Sequence, residues 1–213
     1  MPDRCVSRQT LQRLPAYLHY LKSLGQGEGA RYISATAVAE ALGLNDVVVR
    51  KDLASVSSLG RPRVGYARTE LIGDLEHFLG YDNTRDAILV GAGKLGQALL
   101  SYGGFPKYGL NILAGFDADP QVAGIEVGGK KILPMEKLPG LCRRMGVRIG
   151  IITVPGAAAQ AVCDQLIESG VLAVWNFAAV HLSVPQGVLV QNENMAVSLA
   201  ILSNHLKESF STK

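Results

Sequence analysis

The chain has 213 residues, 48% of them hydrophobic and 18% charged, which is ample for a packed core and excludes a globally disordered chain. Its net charge of +3 is too small to mark a nucleic-acid binder by itself, and its three scattered cysteines, Cys5, Cys142 and Cys163, fit neither a metal cluster nor a disulfide scaffold. No apolar stretch follows the N-terminus and no run of 18 apolar residues occurs, so a cytoplasmic protein without signal peptide or membrane span is expected.

The first part reads as helices. Leu14, Leu18, Leu21 and Leu24 recur at helical spacing, and Pro15 opens or kinks their helix. Residues 25–29 read as a loop. Ser34 is placed to cap a short helix through Ala41 that stops at Gly43. Asn45 or Asp46 then caps a second helix from about Val47 to Val56. Two short helices joined by a tight glycine-containing turn give a helix-turn-helix. Residues 57–66 contain Gly60, Pro62 and Gly65 and fit a hairpin or wing, after which Thr69 is expected to cap a helix carrying Leu71, Leu75, Phe78 and Leu79. Residues 48–68 hold Arg50, Lys51, Arg61, Arg63 and Arg68 against one acid, Asp52, a local charge of +4. Arg50 and Lys51 fall on the helix that would enter a major groove, where Arg can pair with guanine and Lys with bases or phosphates. Arg61 and Arg63 on the wing would follow the backbone or minor groove.

Residues 81–83 form the junction between a DNA-binding domain over 1–80 and a second domain over 84–213. There, residues 87–90 are an apolar strand that runs into Gly91-Ala92-Gly93-Lys94-Leu95-Gly96 and a helix-prone stretch. This is G-x-G-x-x-G in its required setting of strand, turn and helix: Gly91 for the turn, Gly93 for approach to a pyrophosphate, Gly96 for close packing. A second strand over 111–116 ends at Asp117, 26 residues after Gly91 and placed to hold both adenosine ribose hydroxyls, which favours NAD(H) over NADP(H). Asp119 is the alternative acid. Strands over 148–153, 171–177 and 187–190, a helix over 157–169 and a final helix over 196–210 continue the alternation of a Rossmann-like sheet with an altered second half. Tyr102 and Phe105 are candidate nicotinamide contacts or packing residues beyond the first cofactor helix. His181 is the one plausible catalytic acid, and no stretch of useful size is left for a substrate domain. A nucleotide sensor is therefore expected rather than an enzyme, with no catalytic residue and no metal. A small NAD-dependent oxidoreductase is the runner-up, and a DNA-binding regulator with a nonresponsive cofactor site is a third reading.

With these residues in view, the chain resembles the Rex family of redox-sensing transcriptional repressors along nearly its whole length. Arg13-Leu14-Pro15-Ala16-Tyr17 is similar to the family's opening segment, Val49-Arg50-Lys51-Asp52-Leu53 to its recognition-helix core, and Val64-Gly65-Tyr66 to the end of its wing. The stretch from Val90 to Gly96 resembles its dinucleotide loop, and Phe116-Asp117-Ala118-Asp119-Pro120 its next motif. Val154-Pro155 with Ala159-Gln160, then Trp175-Asn176-Phe177-Ala178, resemble the two after that. The resemblance implies an α/β fold with a winged helix-turn-helix before the Rossmann-like domain, and a homodimer whose C-terminal helix swaps across the partner. It implies palindromic operator DNA as ligand, NADH and NAD+ as cofactors, and release of DNA when NADH binds. It adds Arg13 and Tyr66 to the DNA contacts and Pro155, Asn176 and Phe177 to the cofactor contacts. The chain departs from the family at Lys94, Asn194 and Ala179 and in the wing sequence from Ser57 to Arg63. Where some relatives carry Arg and many carry Asp, Lys94 and Asn194 form no ion pair, which weakens the expected switching.

Overall fold

A computed structural model describes residues 6–25 and 31–211, and side chains up to residue 207. Cys5, most of the expected 25–29 loop and the Phe210 side chain lie outside the described residues. The chain forms two compact units, Met1–Asn83 and Thr84–Lys213.

In the first unit, α1 (Arg8–Ser23) begins at Ser7, whose Oγ accepts the Thr10 N–H. Pro15 lies inside α1 rather than at its start, and Leu24 caps its end. Leu14, Tyr17, Leu18 and Leu21 form its buried stripe. After β1 (Tyr32–Ile33), Ser34 caps α2 (Ala35–Leu42), which Gly43 ends in the left-handed conformation that glycine adopts without strain. Asn45 caps α3 (Asp46–Val56), its Oδ1 accepting the N–H groups of Val47 and Val48. The wing closes where Arg61 and Gly65 exchange backbone hydrogen bonds of 2.8 and 2.9 Å. β2 (Tyr66–Ala67) pairs antiparallel with β1. The next helix, α4 (Arg68–Leu79), is not capped by Thr69 as expected. Strand pairing continues to the helix boundary, the Arg68 N–H donates to the Arg31 carbonyl, and Ala67 becomes the uncapped N-terminal residue. Val38, Val49, Leu53, Leu71 and Leu75 close the core over α1.

The second unit is a seven-stranded sheet. Its strands are β3 (Arg85–Val90), β4 (Leu110–Asp117), β5 (Glu126–Val127), β6 (Lys130–Pro134), β7 (Ile149–Ile152), β8 (Ala173–Asn176) and β9 (Leu189–Asn192). They lie in the order β5-β6-β4-β3-β7-β8-β9, with β5 alone antiparallel. Without β5, this is the doubly wound order in which a ligand crevice opens at the ends of β3 and β7. Along β3, Ala87 and Leu89 face α5 (Lys94–Ser101), while Ile88 and Val90 face α6 (Leu138–Met145) and α7 (Gly156–Glu168). The departures from regular winding fall in both halves, not only the second. The β4–β6 crossover carries β5 in place of a helix, and the β8–β9 crossover over 177–188 has no helix. The hairpin β5–β6 and helix α6 lie in a stretch that the sequence reading left unassigned. Finally, α8 (Met195–Ser211) is amphipathic by sequence, and every described side chain from 191 to 207 is exposed.

Candidate cofactor and nucleic-acid sites

The cofactor loop is built by β3, which delivers Gly91 to the crevice with its N–H on the Phe116 carbonyl at 2.8 Å. Gly91 has φ +101°, and a Cβ there would press on Thr153 and Val154 at 2.8 Å. A Cβ at Gly96 would overlap the Gly91 carbonyl oxygen, while one at Gly93 would meet open space. The two outer glycines are thus required by packing, and Gly93 leaves room for a ligand. Gly93 starts α5 without any side-chain cap, so the first N–H groups of that helix remain available to an anion. Ala92 is buried, and Lys94 and Leu95 are exposed beside it.

Asp117, at the end of β4, holds this loop. Its Oδ2 accepts the Ala92 N–H at 2.7 Å and its Oδ1 accepts the Asp119 N–H at 2.9 Å. Asp119 is exposed, and its own carboxylate accepts the Gln121 N–H. Thr153, missed by the sequence reading, donates its hydroxyl to the Gly91 carbonyl at 2.7 Å and the Val90 carbonyl at 3.1 Å. Its signal was a hydroxyl residue at the strand end beside the glycine loop.

Pro155 is exposed at the start of α7. Tyr102, Phe105 and Phe177 join one aromatic row through Trp175: Tyr102 to Phe105 at 4.9 Å, Phe105 to Trp175 at 5.9 Å, Trp175 to Phe177 at 4.9 Å. Trp175 itself went unassigned as a site residue. Asn176, expected at the cofactor, ends β8, where it pairs with Ile152 of β7. It is wholly buried, its Nδ2 serves the carbonyls of Ala178 and Val180 and the Oδ1 of Asn192, and its Oδ1 accepts the Ala178 N–H. Its polar atoms are used in fixing the start of the β8–β9 crossover. His181 is exposed on that same crossover. Among the described residues, no group of three or more His, Cys, Asp or Glu side chains is arranged to hold a metal.

In the first unit, α3 turns Val47, Val48, Arg50 and Lys51 outward. Arg50 forms an ion pair with Asp46 one turn earlier at 2.6 Å. Arg61 and Arg63 are exposed on the wing, and the Arg61 guanidinium lies 5.9 Å from the Tyr32 ring centre. Arg63 has φ +63°, an uncommon conformation for a residue with a Cβ.

The acid that sequence counting sets against these cations, Asp52, is not on their surface. It is 5% exposed and accepts four hydrogen bonds: two from the Arg13 fork at 2.7 and 3.0 Å, one from Tyr17 at 2.9 Å and one from Thr10 at 3.0 Å. Burial opposes its ionisation, but the bonds from Arg13, Tyr17 and Thr10 outweigh it and hold the carboxyl below the ordinary aspartate range. Burial, then the bond to Asp52, pushes Tyr17 up to about 12. Arg13, expected at DNA, therefore clamps α1 to α3, with its side chain 27% exposed. Tyr66, also expected at DNA, is 8% exposed within the core and braces the wing at Gly60.

The profile of the "CoA binding domain" family matches residues 82–180, and that of the "Putative DNA-binding protein N-terminus" family matches residues 5–54. The redox-sensing transcriptional repressor Rex of Porphyromonas gingivalis is 42% identical over 96% of this chain and 94% of its own length. That of Bacteroides fragilis is 39% identical, over 94% and 91%. A crystal structure of RSP in complex with β-NAD+ and operator DNA matches 98% of this chain and 95% of its own, with TM-score 0.90 and 33% identity. RSP in complex with β-NADH matches with TM-score 0.87 and 32% identity, over 97% of each chain. The likeness spans both units and both sites, and the chain belongs to the Rex family of redox-sensing transcriptional repressors.

Proposed function

We propose that this chain binds operator DNA through its first unit and NAD(H) through its second, and that NADH weakens the DNA complex more than NAD+ does. The observation that carries the reading is one chain holding both a basic helix-turn-helix and an open, uncapped glycine loop. RSP, similar over both units, is described with β-NAD+ and operator DNA and with β-NADH. Arg50 and Lys51 read or hold the duplex, with Arg61 and Arg63 on its backbone. The N–H groups after Gly93 take the pyrophosphate, Asp117 takes the adenosine ribose, and Asp119 lies next to it. The Tyr102, Phe105 and Phe177 row, with Pro155, borders the nicotinamide end.

The subunit interface is α8. Met195, Val197, Leu199, Ile201, Leu202 and Leu206 are 54–76% exposed, more contiguous apolar surface than an isolated subunit keeps in water. A second copy of the chain covers it, and two-fold symmetry then calls for a palindromic operator. No described helix is long and apolar enough to cross a membrane, and a sensor of NAD(H) that binds DNA works in the cytoplasm.

A ligand shifts an equilibrium only by its difference in affinity for two states, and DNA must weaken NADH binding by the same factor. A coupling of roughly 1–3 kcal/mol corresponds to about 5–150-fold. The uncharged Asn194 places this chain at the lower end. Operator binding at fixed ionic strength, with separate NADH and NAD+ titrations, decides the matter. Equal affinities with and without saturating NADH would remove the sensor function.

A further inference from the structure

We propose that Val47 reads a thymine methyl group in the major groove and is thus a specificity-determining residue of the DNA interface. The inference rests on the operator-binding reading above. Val47 lies in the first turn of α3 and is 55% exposed, the most exposed large apolar side chain among the described residues of the first unit. Arg50 and Lys51, three and four residues on, share its side of the helix. A helix that enters the major groove presents its N-terminal turn to base edges.

Phosphate is a poor occupant for this end of α3. The N–H groups of Val47 and Val48 are both taken by Asn45 Oδ1, at 3.0 and 3.3 Å. Asp46 adds a carboxylate, held by Thr36 at 2.9 Å and Arg50 at 2.6 Å, which repels an anion. What this turn offers outward is an isopropyl group. The apolar group on a major-groove base edge is the C5 methyl of thymine. Arg50 and Lys51 provide the charge that brings the duplex close, and Val47 supplies apolar contact where they cannot.

The full-length protein is first used to select its preferred sequence from random duplexes. Each thymine of that sequence is then replaced singly by deoxyuridine, which removes only the methyl. At one position in each half-site the wild type should bind about fourfold more weakly, the effect of one buried methyl. Val47→Ala, whose fold is checked by its melting temperature, should bind the thymine and deoxyuridine duplexes equally. Uniform wild-type affinity for all deoxyuridine duplexes overturns the inference. So does a preferred sequence without thymine, or a methyl penalty that survives in Val47→Ala. A selection that enriches nothing is a different failure: it overturns the operator reading itself, and this inference with it.

Discussion

The carboxylate of Asp117 accepts the backbone N–H of Ala92 at 2.7 Å, so the residue proposed to choose the cofactor also holds the loop that receives it. Asp117→Asn keeps one oxygen acceptor and loses the charge. NADH binding should weaken by about 10–100-fold, the range for charge-assisted hydrogen bonds, and the preference for NADH over NADPH should narrow. Asp117→Ala should in addition lower the melting temperature without ligand. Titration of each variant with both dinucleotides checks this, and unchanged discrimination in Asp117→Asn would sink the assignment.

Gly93 and Gly96 should respond differently to alanine. At Gly96 the new methyl overlaps the Gly91 carbonyl, so both thermal stability and dinucleotide affinity should fall. At Gly93 it meets open space, so the ligand-free melting temperature should hold while NADH affinity drops. Parallel melting curves and titrations separate the two outcomes.

The Asp52 clamp has a pH signature. Its carboxyl is depressed in the folded state, so its stabilisation is present above the ordinary aspartate value near 4 and is lost as pH falls below that. Tyr17 is raised to about 12, so its contribution is complete below pH 10 and is lost as pH rises toward 12. Asp52→Asn should cost about 3 kcal/mol, because it leaves the Arg13 charge without its partner. It should also flatten the acid limb of stability, measured by denaturant unfolding across pH.

At the wing tip, Arg63→Gly should separate stability from binding. Relief of the left-handed backbone should stabilise the first unit by about 1 kcal/mol. Loss of a phosphate contact should weaken all duplexes alike and reduce the salt slope of binding by about one. Arg50→Ala should instead relax sequence preference, at about 1–3 kcal/mol for the preferred duplex.

Features fixed by a few neighbouring residues were legible in the sequence. Ser34, Gly43 and Asn45 act where their chemistry puts them, and the glycine loop sits between its strand and helix. Features fixed by tertiary partners were not. Thr69 has good capping chemistry, but the β1–β2 pairing sets the start of α4 first. Asn176 reads as a ligand residue, but its burial and its bonds to Ala178, Val180 and Asn192 are set by the crossover and strand that follow it. Asp52 counts as a surface acid until Arg13 and Tyr17, 39 and 35 residues earlier, are folded onto it. The hairpin β5–β6 is two short strands with weak alternation, and only its pairing to β4 gives it a place.

The central position of β3 has a consequence for biosynthesis. The first unit draws its packing from residues that have all been synthesised by Asn83, whereas β3 gains its second neighbour only once β7 is made. The sheet's far edge waits for β9, near the end of the chain. Parallel pairing over such separations is slow compared with the packing of nearby helices. A nascent chain therefore shapes its DNA-reading half well before the half that senses nicotinamide.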